Sequence, residues 1–189
     1  MELLKERIYK DGTVVGEDIL KVDSFLNHQI DVKLMDEIGK EFYRLFKDAG
    51  INKILTVETS GIVIACAAAK YFDVPVVFAK KHESKNLDAE TYEGSVFSFT
   101  KGKHYKIRIS KKYVNETDNI LIVDDFLASG SAVEGVLEII KLAGAQPKGV
   151  GIVIEKSFQE GGKILRDLGL KVESLAIVEA FENGKVILK

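Results

Sequence analysis

Two adjacent carboxylates, Asp124 and Asp125, follow the apolar run Ile120-Leu121-Ile122-Val123, and the small residues Ala128-Ser129-Gly130-Ser131-Ala132 come directly after. Paired carboxylates accept hydrogen bonds from neighbouring hydroxyl groups. Small residues let a ligand approach the backbone N–H groups, and at the head of a helix those groups favour an anion. These residues therefore offer hydroxyl acceptors beside an anion cradle, which are the two needs of a sugar phosphate. The apolar run reads as a strand buried on both faces. The carboxylates then fall at its carboxyl end, where open α/β sheets bind ligands.

A second stretch repeats this logic. Val57-Glu58-Thr59-Ser60-Gly61 ends a strand, turns through small hydroxyl residues and starts a helix. Its N–H groups suit another anion, although Thr and Ser are also ordinary N-cap residues. Lys80-Lys81-His82 opens a polar, aperiodic stretch that runs to Gly94. Long loops of this kind are often functional lids, and Lys81 is placed to offset anionic charge. Residues 83–90 also read as a solvated charged loop. Cys66, set among Ala65, Ala67 and Ala68 on an apolar helix, reads as a packed core thiol rather than a nucleophile. His28, His82 and His104 have no metal-ligand spacing, and neither a Walker P-loop nor GxGxxG is present.

The stretch from Ile120 to Ala132 resembles the signature of the type I phosphoribosyltransferases, which use phosphoribosyl diphosphate (PRPP). That family prefers Thr in the loop, and Ser129 and Ser131 keep the hydroxyl chemistry. The resemblance implies that Asp124 and Asp125 face the ribose 2′- and 3′-hydroxyls. It implies that Ala128, Ser129, Gly130, Ser131 and Ala132 hold the 5′-phosphate. It makes Thr59, Ser60 and Gly61 the pyrophosphate loop and puts Lys81 at the lid. Mg²⁺ is expected to arrive with PRPP, without a direct protein site, and the family is commonly dimeric. Ile19 to Asp31 and Gly151 to Phe158 are similar to the bacterial xanthine-using branch, along nearly the whole chain. That similarity implies a base site of Leu20, Asn27 and Lys156, with phosphoribose passing to N9 of xanthine. Guanine, hypoxanthine or adenine on the same scaffold are the alternatives. A PRPP-sensing regulator is a further one, though such a protein usually needs an added nucleic-acid-binding part. A response-regulator receiver also has an apolar strand ending in Asp-Asp, but does not need the Ser-Gly-Ser loop.

The 189 residues suit one domain, with 46% hydrophobic and 30% charged residues. A net charge of −2 gives no electrostatic case for nucleic acid or an acidic membrane surface. One cysteine fits a reducing cytoplasm, and no window approaches a membrane span. Helical spacing marks Leu34 to Phe46, Ile62 to Phe72, Val133 to Ala143 and Lys163 to Leu168. Strands are expected at 53–57, 74–79, 119–123, 149–154 and 172–178. Residues 96–99 and 105–109 alternate like a hairpin, and Asn183-Gly184 marks another before 186–188. The alternation argues an α/β fold, a mostly parallel twisted sheet with helices on both faces. The first thirty residues and those from about 172 on are expected to form a small hood over the sheet's active edge.

Overall fold

The computed structural model describes residues 1–81, 90–98 and 102–189. The chain begins with α1 (Glu2–Asp11), β1 (Thr13–Val15), β2 (Ile19–Lys21) and a π-helical turn (Asp23–Asn27). Then come α2 (Val32–Phe46), β3 (Lys53–Val57), α3 (Gly61–Phe72), β4 (Val76–Ala79), β5 (Thr91–Ser98) and β6 (Lys103–Ser110). The rest comprises β7 (Asn119–Leu127), α4 (Ser131–Leu142), β8 (Gln146–Lys156), α5 (Gly161–Asp167), β9 (Val172–Glu182) and β10 (Lys185–Leu188).

Six strands form the central sheet in the order β10-β9-β8-β7-β3-β4. All neighbours are parallel except β10, which runs antiparallel to β9. The side-chain period of two splits β7 between two cores. Leu121 and Val123 join the core beneath α1, α2 and α3. Ile120 and Ile122 join the core under α4 and α5, which also takes Val96, Ile107 and Ile109 of the β5–β6 hairpin. Helix α2 buries Leu34, Met35, Ile38, Phe42 and Phe46 on one stripe, as the spacing requires. Asp31 caps it, accepting from the N–H groups of Lys33 and Leu34 at 3.1 Å each.

Several expectations change. The polar stretch does not run to Gly94, because β5 starts at Thr91 and pairs with β6 along its length. Its polar residues hid the strand. Glu93 pairs across it with Lys106 and Arg108, so the charge belongs to a ladder. The polar stretch from His82 to residue 89 lies outside the described residues. Strand β7 continues through the carboxylates to Leu127, since Phe126 and Leu127 keep pairing with β8. Residues 172–178 belong to the central sheet rather than to a hood, because they pair in parallel with β8. Beyond Val178, β9 pairs only with β10. Cys66 is exposed, not packed. Ile64, Ala65, Ala68 and Ala69 take the buried face of α3 and leave 63, 66 and 70 on its outer side.

Candidate active site

The sheet order reverses between β3 and β7. From β3 the chain winds outward to β4, and from β7 it winds the other way through β8 to β9. Parallel pairing of β3 with β7 stops at Leu55 and Ile122. Beyond that point the strands part, and open α/β sheets bind ligands in such a crevice. The β7 side of the opening carries Asp124 and Asp125. The β3 side carries the turn from Glu58 to Gly61.

Asp124 Oδ1 accepts from the Asp125 N–H at 3.0 Å, and Asp125 Oδ1 from the Phe126 N–H at 2.9 Å. Burial, reinforced by the Asp125 charge, holds the Asp124 carboxyl well above the usual carboxylate range. The positive charge of Lys81 acts in the opposite direction. The buried Thr56 explains Gly61, where a Cβ would lie 1.9 Å from Thr56 Oγ1 and also 3.2 Å from Asp124 Oδ1. Helix α3 can therefore start against the acidic pair only with glycine at that position.

The small-residue loop stands at the head of α4. Gly130 has φ of +89°, a conformation that glycine adopts without penalty. The Ser129 and Ser131 hydroxyls approach to 3.2 Å. The first N–H groups of α4 lack helical partners, so the loop is built to meet an anion. All five loop residues line one cavity of 530 Å³.

The second turn fits a similar role. Ser60 occupies the N-cap position of α3 but makes no side-chain capping bond, which weakens the plain capping reading. The Glu58–Thr59 peptide is cis. Glu58 Oε1 accepts from the Lys81 backbone N–H at 2.5 Å, joining this turn to the expected lid residue. Lys81 Nζ stands 5.9 Å from the Tyr105 ring centre.

Of the three expected base residues, Lys156 lines the same cavity as the small-residue loop, with Asp18, Ile19 and Phe126. Its Nζ donates to the Asp18 carbonyl at 2.8 Å. Burial lowers the Lys156 pKa below the usual lysine value. Asn27 reaches the acidic pair directly, its Nδ2 donating to Asp125 Oδ2 at 3.2 Å. Leu20 is buried in the core with Leu4 and Ile8. Its side chain is occupied there, and its neighbours Asp18 and Ile19 line the cavity instead.

A family model for the phosphoribosyl transferase domain matches residues 21–176. The chain belongs to the phosphoribosyltransferase family. It is 64% identical to a xanthine phosphoribosyltransferase of Clostridium novyi over the whole of both chains. It is 61% identical to one from Ruminiclostridium cellulolyticum over 98% of each chain. Among solved structures, an adenine phosphoribosyltransferase from Giardia lamblia complexed with 9-deazaadenine superposes with a TM-score of 0.77 at 18% identity. That match covers 92% of this chain and 96% of the other. The Rhodothermus marinus adenine enzyme gives 0.75 at 20% identity, over 94% and 100%. Those two likenesses establish the fold.

The candidate site also contains residues that sequence patterning passed over. Thr56 is fully buried, and its hydroxyl has no hydrogen-bond partner among the described residues. Gly161 donates its N–H to the Ala128 carbonyl at 3.0 Å, bracing the small-residue loop from α5. Tyr105 and Phe126 line the cavity. Phe126 lies within the Ile120–Ala132 stretch, whereas Thr56, Tyr105 and Gly161 stand in no motif and come from strands and a helix far apart in sequence.

Proposed function

We propose that this chain transfers phosphoribose from PRPP to N9 of xanthine, giving xanthosine monophosphate and pyrophosphate. The observation that carries the reading is the shared cavity, in which the small-residue loop and Lys156 face one space. The full-length identity to clostridial xanthine enzymes supports the choice of base.

Asp124 and Asp125 accept the ribose hydroxyls, and their charge favours a developing ribosyl cation. The loop from Ala128 to Ala132 binds the 5′-phosphate. Thr59, Ser60, Gly61 and Lys81 hold the departing pyrophosphate. The rate enhancement then comes from positioning and electrostatics. No group of three or more His, Cys, Asp or Glu residues is arranged for a metal among the described residues. The acidic pair is a hard oxygen donor set that fits Mg²⁺ carried by PRPP. Mg²⁺ would arrive with PRPP and would supply charge neutralisation on the pyrophosphate, with Asp124 and Asp125 as the carboxylates that would meet it.

Lys156 donates to an acceptor at present, the Asp18 carbonyl. An oxo group of xanthine replaces that acceptor like for like. Adenine offers a C6 amino donor there, and a donor–donor mismatch in a buried site discriminates strongly. Asn27 holds Asp125 through Nδ2 and keeps its carbonyl oxygen for the base. Leu20 contributes through its backbone, since its side chain lies in the core. We also propose a hood of residues 1–30 with the distal part of the β9–β10 hairpin. A homodimer is supported by the exposed Leu3, Val32 and Val63, which line an 810 Å³ groove between α1, α2 and α3. No described helix is long and apolar enough to cross a membrane, and a cytoplasmic salvage enzyme fits the single cysteine.

The test is a panel of xanthine, guanine, hypoxanthine and adenine with PRPP and Mg²⁺, reading pyrophosphate release. Xanthine should turn over fastest, and Lys156→Ala should lose xanthine turnover far more than PRPP binding. Preference for another purine, or equal losses in both quantities, would overturn the base assignment.

A further inference from the structure

We propose that the first turn of α5, wedged between the phosphate loop and the buried Glu155 carboxylate, is a fixed spacer that sets the separation between the phosphate loop and Lys156. The inference rests on the reading of those two elements as the phosphate side and base side of one site.

Two consecutive glycines make the wedge. At Gly161 an added Cβ would lie 2.4 Å from the Ala128 carbonyl oxygen and 2.5 Å from the Gly130 nitrogen. At Gly162 it would lie 2.0 Å from Glu155 Oε1. Backbone therefore presses on the loop at one residue and on the carboxylate at the next, with no flexible side chain between to absorb a displacement. The Gly161 N–H bond to Ala128, at 3.0 Å, fixes the first contact.

Glu155 fixes the second. It is only 4% exposed, and both of its oxygens are engaged. Arg166, on α5, donates Nη1 to Oε1 and Nη2 to Oε2, each at 2.8 Å. Ser174 Oγ on β9 donates to Oε2 as well. Burial pushes the Glu155 carboxyl up, but Arg166 and Ser174 outweigh it and keep the group ionised. A bidentate guanidinium pair fixes direction as well as distance. Lys156 is the next residue on β8, so whatever holds Glu155 also holds the backbone that presents Lys156. A buried ion pair is weak evidence for stability as such, because apolar residues often stabilise equally well. Here the pair joins the two ends of the substrate site, which an apolar replacement would not hold in register.

A spacer makes a distinctive prediction, because each half-site stays intact while their alignment changes. Glu155→Gln keeps the volume and loses the charged fork. In the intact protein, PRPP with Mg²⁺ should bind by calorimetry within about twofold of wild type. The turnover number should fall by roughly 10- to 100-fold, the penalty of a misplacement near 1 Å. Arg166→Lys should fall between the two, keeping the charge without the fork. Gly162→Ala attacks the same contact from the helix. Its added methyl would lie 2.0 Å from Glu155 Oε1 and displace the held carboxylate, so it decides the matter if Glu155→Gln fails to fold. Unchanged turnover with a lowered melting temperature would reduce the pair to a structural role and overturn the proposal. An equal loss of PRPP affinity and turnover would place the damage in the loop alone, with the same consequence. The variants are assayed with whichever purine the wild-type protein prefers, so a wrong base assignment is visible separately in the wild-type panel.

Discussion

Asp124 shows how position gives a common side chain an uncommon role. Burial and the neighbouring Asp125 raise its pKa, so the folded chain holds that proton more tightly than the unfolded chain does. Stability then falls as pH rises from the ordinary carboxylate value of about 4 through the raised folded value. Asp124→Asn has no proton to lose. It should melt above wild type at pH higher than this window and converge with it in acid, as followed by calorimetry at several pH values. Turnover should meanwhile drop by roughly 10²-fold or more, since the carboxyl positioned at the reacting ribose is lost. Wild-type turnover in that variant would remove the carboxylate from the scheme. Asn27→Asp sets a second charge against Asp125, now held at 3.2 Å by an amide donor. It should raise the KM for PRPP several-fold.

The loop and helix proposed to receive the phosphate depend on backbone shape more than on side chains. Gly130 at φ +89° is the hinge between β7 and α4. Gly130→Ala should cost about 1–2 kcal/mol of unfolding free energy, the penalty of a left-handed residue with a Cβ. Its Cβ would also stand 3.1 Å from the Gly161 Cα, tight against α5. PRPP affinity should fall with the stability, and denaturant titration beside calorimetry measures both. The β5–β6 hairpin shows the opposite balance, with side chains deciding. Its polar residues look like loop until Glu93 meets Lys106 and Arg108 across the ladder.

For the complete molecule, the two cores brace one sheet whose order reverses between β3 and β7. On the proposed reading PRPP with Mg²⁺ spans both sides of that reversal and should stabilise the native state alone. At a hundred times its Kd the gain is ~2.7 kcal/mol, and the melting temperature should rise by about 5–11 °C for a chain of this size. A shift near zero in a thermal scan would mean that PRPP does not bind there.

The acidic pair, the small-residue loop, the Thr-Ser-Gly turn and the α/β alternation were readable in the chain, because each arises from neighbouring residues whose chemistry and period are local. The sequence also carried Lys156 and Asn27 through a family resemblance. Their partners, the Asp18 carbonyl and the Asp125 carboxylate, are set by contacts spanning 138 and 98 residues. The burial of Leu20, the exposure of Cys66 and the wedge of Gly161 and Gly162 share that origin. Which face of an apolar helix meets the core, and which glycine lies against which loop, depends on where distant elements pack. That packing is a property of the folded chain as a whole, and local composition does not encode it.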